Sequence, residues 1–242
     1  MIILSHQHNG FIITIDGPAG AGKSTIAKKL AQNIGYRYIN TGDFYRYVTY
    51  RALKEKVDIH NSADMNILSR KIVEQFINQE NFSKNIELMF FQNNSTLEKI
   101  HSPVIDKFVS FVARHPSVRK NMVPLQRLMA KNKSVIMEGR DIGSVILPDA
   151  DLKIFLIANE QTRVLRRHKE LQEKGYHISL EEIKTEIIKR DELDSKRAIA
   201  PLTIPEDAIV VDTSNKGIEE VIEILLGIIY KKEKEEFADN QG

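Results

Sequence analysis

At 242 residues the chain can bury one sizeable α/β core with room for a small inserted lobe, and is too short for two full domains. Charged residues make up 28% of it but balance to a formal net charge of +2, so nothing global points to nucleic acid or a membrane, and functional basic character has to be local. The absence of cysteine excludes disulfides, thiolate metal sites and a cysteine nucleophile, and fits a reducing compartment.

The opening "MIILSHQHNG" has no basic leader followed by a sustained apolar stretch, which predicts a soluble, cytoplasmic protein. "FIITID" (11 to 16) is a short β-branched run of the kind that forms a parallel strand covered on both faces. Ile26, Ala27, Leu30, Ala31 and Ile34 then recur at one-face helical spacing, and Gly35 stops that helix. "YRYIN" (36 to 40), "SVIMEG" (134 to 139), "LKIFLIA" (152 to 158) and "AIVVDT" (208 to 213) repeat the strand pattern between helical stretches. The alternation predicts a three-layer α/β/α fold with a right-handed, five-stranded parallel sheet. Residues from about 58 to 100 break the rhythm: a helical "ADMNILSRKIVEQFI" precedes the alternating "NIELMFFQNN", read as a small antiparallel insertion. The late apolar run "VIEILLGIIY" is interrupted by Glu223 and too short to span a bilayer. Residues 1–230 are thus expected to form a single domain, and 231–242 a frayed polar tail.

Directly after the first strand, "GPAGAGKST" (17 to 25) fits G-x-x-x-x-G-K-[ST] through Gly17, Gly22, Lys23 and Ser24, with a strand before and a helix after. Glycines let successive N–H groups of Gly17, Pro18, Ala19, Gly20, Ala21, Gly22 and their neighbours turn inward on phosphate oxygens (proline contributing none), and the helix start adds its positive end. Lys23 would reach the β- and γ-phosphates of ATP, Ser24 would offer its hydroxyl to Mg²⁺, and Thr25 completes the cradle. Motors, GTPases and transporters share this loop, but no N-K-x-D base-reading segment is present, and the chain is short for a motor.

Four arginine-bearing segments narrow the choice. In "TGDFYR", Thr41 is placed to cap a helix, Tyr45 offers a ring and hydroxyl, and Arg46 a bidentate fork, although an ordinary capped helix would look the same. "EGRD" (138 to 141) follows the third strand at the carboxyl edge, where open α/β sheets bind ligands. Arg163, Arg166 and Arg167 share one helical face, which also suits a merely solvated basic surface. Arg190, Asp194 and Arg197 fall at i, i+4 and i+7, consistent either with internal ion pairing or with a grip on ribose and phosphate.

Taken in order, "DGPAGAGKST", "NTGDFYR", "EGRDIGSVILPDADLKIFLIA", "LQEKGY" and "RDELDSKRAIAPL" resemble the bacterial cytidylate kinases, P-loop enzymes that phosphorylate CMP and dCMP, over residues 11 to about 226. The resemblance implies ATP as donor with Mg²⁺, a nucleoside-monophosphate-binding insertion and an arginine-bearing lid at about 160–197. By matching position, Thr41, Tyr45, Arg46, Gly139 and Arg140 would hold the acceptor phosphate; Ser110, Arg119 and Asp141 would read cytosine; Arg190, Asp194 and Arg197 would surround ribose and phosphate. Lys23, Arg140, Arg166 and Arg167 would carry the catalysis. The sequence departs from the family pattern at Glu138, where aspartate is usual, and at His101, where arginine is common.

Chemistry agrees with that assignment. Cytosine presents an exocyclic amine beside two acceptors, which suits a carboxylate with an arginine, whereas uracil would meet Asp141 acceptor to acceptor. A monophosphate with a second pKa near ~6 is already anionic at neutral pH and needs alignment and charge neutralisation rather than a base. Rivals at this level are a P-loop kinase of another small acceptor and an idle nucleotide-binding module. The expected partners are small molecules, with no nucleic acid and no membrane, and a monomer is the default.

Overall fold

A computed structural model of the chain describes residues 10–77 and 94–239. Five strands, β1 (Ile12–Asp16), β2 (Arg37–Asn40), β3 (Val135–Glu138), β4 (Leu152–Ile157) and β5 (Ile209–Asp212), form one sheet in the order β2-β3-β1-β4-β5 with every pairing parallel. The expected three-layer arrangement follows from how each strand divides its side chains. Ile13 and Ile15 of β1, Ile136 of β3, Leu152, Ile154 and Leu156 of β4 and Val211 of β5 face one way. There they meet α1 (Lys23–Ile34) and α9 (Ile218–Asp239). Ile39, Val135 and Met137 face the other way, into a core shared with α2 (Gly42–Lys54), α3 (Ser62–Ile77), α4 (Asn94–Ile100), α5 (Pro103–Ala113) and α6 (Pro116–Ala130). Period-2 alternation on β1, β3 and β4, which are buried on both sides, explains why they read as nearly unbroken apolar runs.

The remaining helices, α7 (Glu160–Glu173) and α8 (Leu180–Ser195), form a hairpin with a small core of its own, built from Val164, Leu171, Ile183 and Ile187. Its second helix starts on a capping box: the Ser179 hydroxyl accepts the Glu182 N–H, and the Glu182 carboxylate accepts the Ser179 N–H. This hairpin covers the stretch for which the resemblance implies a lid.

Two expectations need comment. The helix expected over 63 to 77 is α3, but the alternating run at 85 to 94 lies almost wholly outside the described residues. The tail expected from 231 is instead helical to Asp239, as α9 simply continues. Lys and Glu are good helix formers even without an apolar face, and Lys231 and Glu235 sit one turn apart with 3.9 Å between their charges. Among the described residues no helix is long and apolar enough to cross a membrane.

Candidate active site

β1 lies at the centre of the sheet, and the chain leaves its carboxyl end at Gly17 into the glycine-rich loop. Gly17 takes φ 147°, and a Cβ there would lie 2.1 Å from the Leu156 carbonyl oxygen, so only glycine fits. Gly22, at φ 89°, sets the turn that starts α1, whose first residue is Lys23. Lys23 is buried, and its ammonium donates to the Pro18 carbonyl at 2.7 Å across the loop. Burial, reinforced by the nearby Arg140 charge, pulls its pKa well below the ordinary lysine value.

This loop forms one wall of a cleft of about 1240 Å³. Of the sequence-predicted residues, Ala19 through Thr25, Thr41, Tyr45, Arg46, Ser110, Arg119, Gly139 through Asp141, Arg166, Arg167, Arg190, Asp194 and Arg197 all line it. Gly17 and Pro18 do not; they shape the loop from behind its wall.

Asp141 follows β3 and is buried, with its side chain only 4% exposed. One carboxylate oxygen accepts from Arg119 of α6, the other from Arg197 at 2.8 Å. The Arg119 guanidinium also stands 5.5 Å over the Tyr45 ring. Asp16, the last residue of β1, fixes this corner: its two oxygens accept the N–H groups of Ile142 at 2.9 Å and Gly143 at 2.8 Å, closing the π-helical turn Ile142–Ile146. Burial pushes the Asp16 carboxyl up to about 6, and the nearby Asp141 charge adds to the rise.

Several expected roles are corrected. Thr41 does not cap α2 with its side chain: its backbone is already helical, and its hydroxyl donates to the Glu138 carbonyl at 2.7 Å, tying α2 to β3. Arg190, Asp194 and Arg197 do not share a helical face, since α8 ends at Ser195. Nor does a salt bridge join any two of them: Asp194 accepts from Arg140 at 2.9 Å, Arg197 reaches Asp141, and Arg190 reaches Asp106 at 3.4 Å. The arginines of the expected lid diverge. Arg163 donates to the Ala19 carbonyl at 3.0 Å and pairs with Asp191, Arg166 donates to Thr213 Oγ1 at 2.8 Å, and Arg167 crosses to Asp106.

Glu138 ends β3 on the cleft wall, accepts from the Tyr38 hydroxyl and lies beside the Ser24 hydroxyl. Burial raises its pKa, opposed chiefly by Lys23. His101 stands with Nε2 2.9 Å from Asp43 Oδ1, so the histidine pairs with an acid of α2.

Asp16, Tyr38, Asp106 and Asp191 were missed in the sequence. Asp106 alone left a local signal, one helical turn before Ser110 on α5. Asp16 and Asp191 lie beside residues singled out and Tyr38 lies in a strand, and nothing in the sequence marks their partners.

The family model described as cytidylate kinase matches residues 13–231. A cytidylate kinase of Alkaliphilus metalliredigens is 47% identical over 222 residues, 92% of this chain and 97% of that protein. One from Bacillus thuringiensis is 43% identical over 217 residues, 90% of this chain and 95% of its own. Among solved structures, a gluconokinase from Sinorhizobium meliloti aligns over 96% of this chain and 99% of that chain, at 16% identity and a TM-score of 0.45.

Proposed function

Because the chain belongs to the cytidylate kinase family, we propose that it transfers the γ-phosphate of ATP to CMP or dCMP, giving CDP or dCDP and ADP. The observation that carries this reading is the Asp141 carboxylate, buried between Arg119 and Arg197 on the wall of the cleft that the glycine-rich loop also lines. Fixed in this way, Asp141 can accept from the exocyclic amine of cytosine while Arg119 donates to its acceptors, and Ser110 lines the same pocket.

The donor phosphates belong on the loop and the amino end of α1, with Lys23 at the β- and γ-positions. A lysine whose burial disfavours its charge gains by meeting an anion, so donor binding and Lys23 protonation support each other. Thr41, Tyr45, Arg46, Gly139 and Arg140 surround the acceptor phosphate, which is anionic near neutral pH and needs no base. Arg140, Arg166 and Arg167 offset charge on the transferring group, and Arg190, Asp194 and Arg197 hold the sugar side.

The residues fit a hydrated Mg²⁺. Glu138 brings a buried carboxylate to the cleft wall within reach of the Ser24 hydroxyl, so the two can share an ion's water shell. Among the described residues no three acidic or histidine side chains form a cage, which suits an ion shared with phosphates. Bound there, the ion would neutralise charge on the β- and γ-phosphates. The α7–α8 hairpin, with its own core, is a unit able to move as one body and exclude water.

The test is ADP release from ATP and Mg²⁺ with CMP, dCMP, UMP, AMP and GMP offered separately. Turnover is expected mainly with CMP and dCMP. Equal turnover with UMP would overturn the role of Asp141, and none with any of them, despite ATP binding, would overturn the kinase.

A further inference from the structure

Asp106 lies on α5 with its side chain 2% exposed, and the reading of the cleft assigns it no role. Three helices send it a guanidinium each: Arg46 of α2 on Oδ1, Arg167 of α7 on Oδ2, and Arg190 of α8 with Nη1 3.4 Å from Oδ1. All three arginines line the cleft, whereas Asp106 is not on its wall. Glu186, on the cleft wall, also faces Arg46, Arg167 and Arg190, but burial and the Asp106 charge raise its pKa, so it holds its own charge less readily. Arg46 otherwise donates to the Ile100 carbonyl, and Arg167 has Glu170 at 2.7 Å. Arg140 takes Asp194, and Arg190 keeps a buried Nε without a hydrogen-bond partner. Burial, together with the Arg140 and Arg46 charges, pulls the Arg190 pKa down to about 10. By contrast Asp106 is held below the usual carboxylate range, because Arg46, Arg167 and Arg190 together outweigh its burial.

Guanidinium groups gathered from an acceptor helix and two lid helices repel each other unless an anion sits among them. Substrate phosphate is such an anion when the cleft is filled, and a single carboxylate does the same with it empty. We propose that Asp106 is a built-in counter-anion of the phosphate seat, keeping Arg46, Arg167 and Arg190 gathered until substrate phosphate takes them over. It is a positioning residue: it acts through the arginines and touches no reacting atom. The arrangement also ties the lid to the acceptor helix through one side chain, so phosphate arrival and lid movement draw on the same contacts. The inference rests on reading the cleft as a phosphate site, but not on which nucleotide is accepted.

If Asp106 substitutes for phosphate, phosphate should substitute for Asp106. The experiment is thermal melting of the full chain, Asp106→Asn and Asp106→Glu, in chloride and in inorganic phosphate at equal ionic strength. Asp106→Asn is expected to melt lower in chloride. Phosphate at tenfold its Kd for the variant should then raise the variant's Tm by about 3 to 5 °C, and that of the unchanged chain by clearly less. Asp106→Glu, which keeps the charge, should follow the unchanged chain. Should Asp106→Asn not fold in chloride, phosphate is expected to restore its circular dichroism. An equal rise in all three proteins, an Asp106→Glu response matching Asp106→Asn, or no restoration by phosphate would overturn the proposal.

Discussion

Replacing Asp141 with asparagine keeps the shape of the side chain and removes its charge. The consequence can be worked from its surroundings. Asp141 and Arg119 have side chains 4% exposed, and Arg197 5%, so water cannot take over the role of the lost carboxylate. Breaking a buried pair by removing one partner costs about 3 to 5 kcal/mol, because the remaining charge is left uncompensated. Here two guanidinium groups are left on one amide, so the upper part of that range applies. For a chain of this size each kcal/mol moves the melting temperature by roughly 2 to 4 °C, giving a fall of about 8 to 20 °C. Calorimetry on the single variants Asp141→Asn and Arg119→Gln and on their combination gives the coupling directly. The double variant should be less destabilised than the sum of the singles by about 0.5 to 3 kcal/mol. A drop under about 2 °C with additive effects would refute the idea that Asp141 is fixed by its arginines.

Lys23→Met should lower kcat by roughly 10² to 10³, the scale seen on deleting one preorganised donor to a developing charge, with no loss of melting temperature since burial already disfavours the ammonium. Retained turnover in steady-state assays would contradict it. Asp16 gives a pH signature. With burial pushing its folded pKa up to about 6, above the ordinary aspartate value of 3.8, the folded chain holds a proton that the unfolded chain releases. Its contribution is therefore fully present below about pH 4 and lost as pH rises through 6, by up to roughly 3 kcal/mol. Urea midpoints for Asp16→Asn should lack that component relative to the unchanged chain; identical pH profiles would refute the shift.

The five strands and the phosphate loop were legible because their information is local. β1, β3 and β4 are short apolar runs buried on both faces, β2 and β5 are short and more exposed but keep part of the same apolar pattern, and the loop is one contiguous motif with its strand and helix attached. The arginines were legible as a set but not in their pairing. Periodicity carried Arg197 onto a helical face that ends at Ser195, and the chain then turns so that its guanidinium meets Asp141. Asp106 lies 60 residues from Arg46 and 84 from Arg190, so only the folded chain brings them together. Thr41 was misjudged for a related reason: it is a residue type that favours caps, but β3 offers its hydroxyl a carbonyl first. The long α9 shows the opposite error, in which a lack of apolar residues was taken as a lack of helix.

Phosphorus NMR of ATP, CMP and Mg²⁺ incubated with the protein tests the central reading most directly, because it identifies the product as well as the turnover. The expected result is the appearance of CDP and ADP signals in equal amounts as CMP and ATP decline. Accumulation of ADP with inorganic phosphate and no CDP would contradict it.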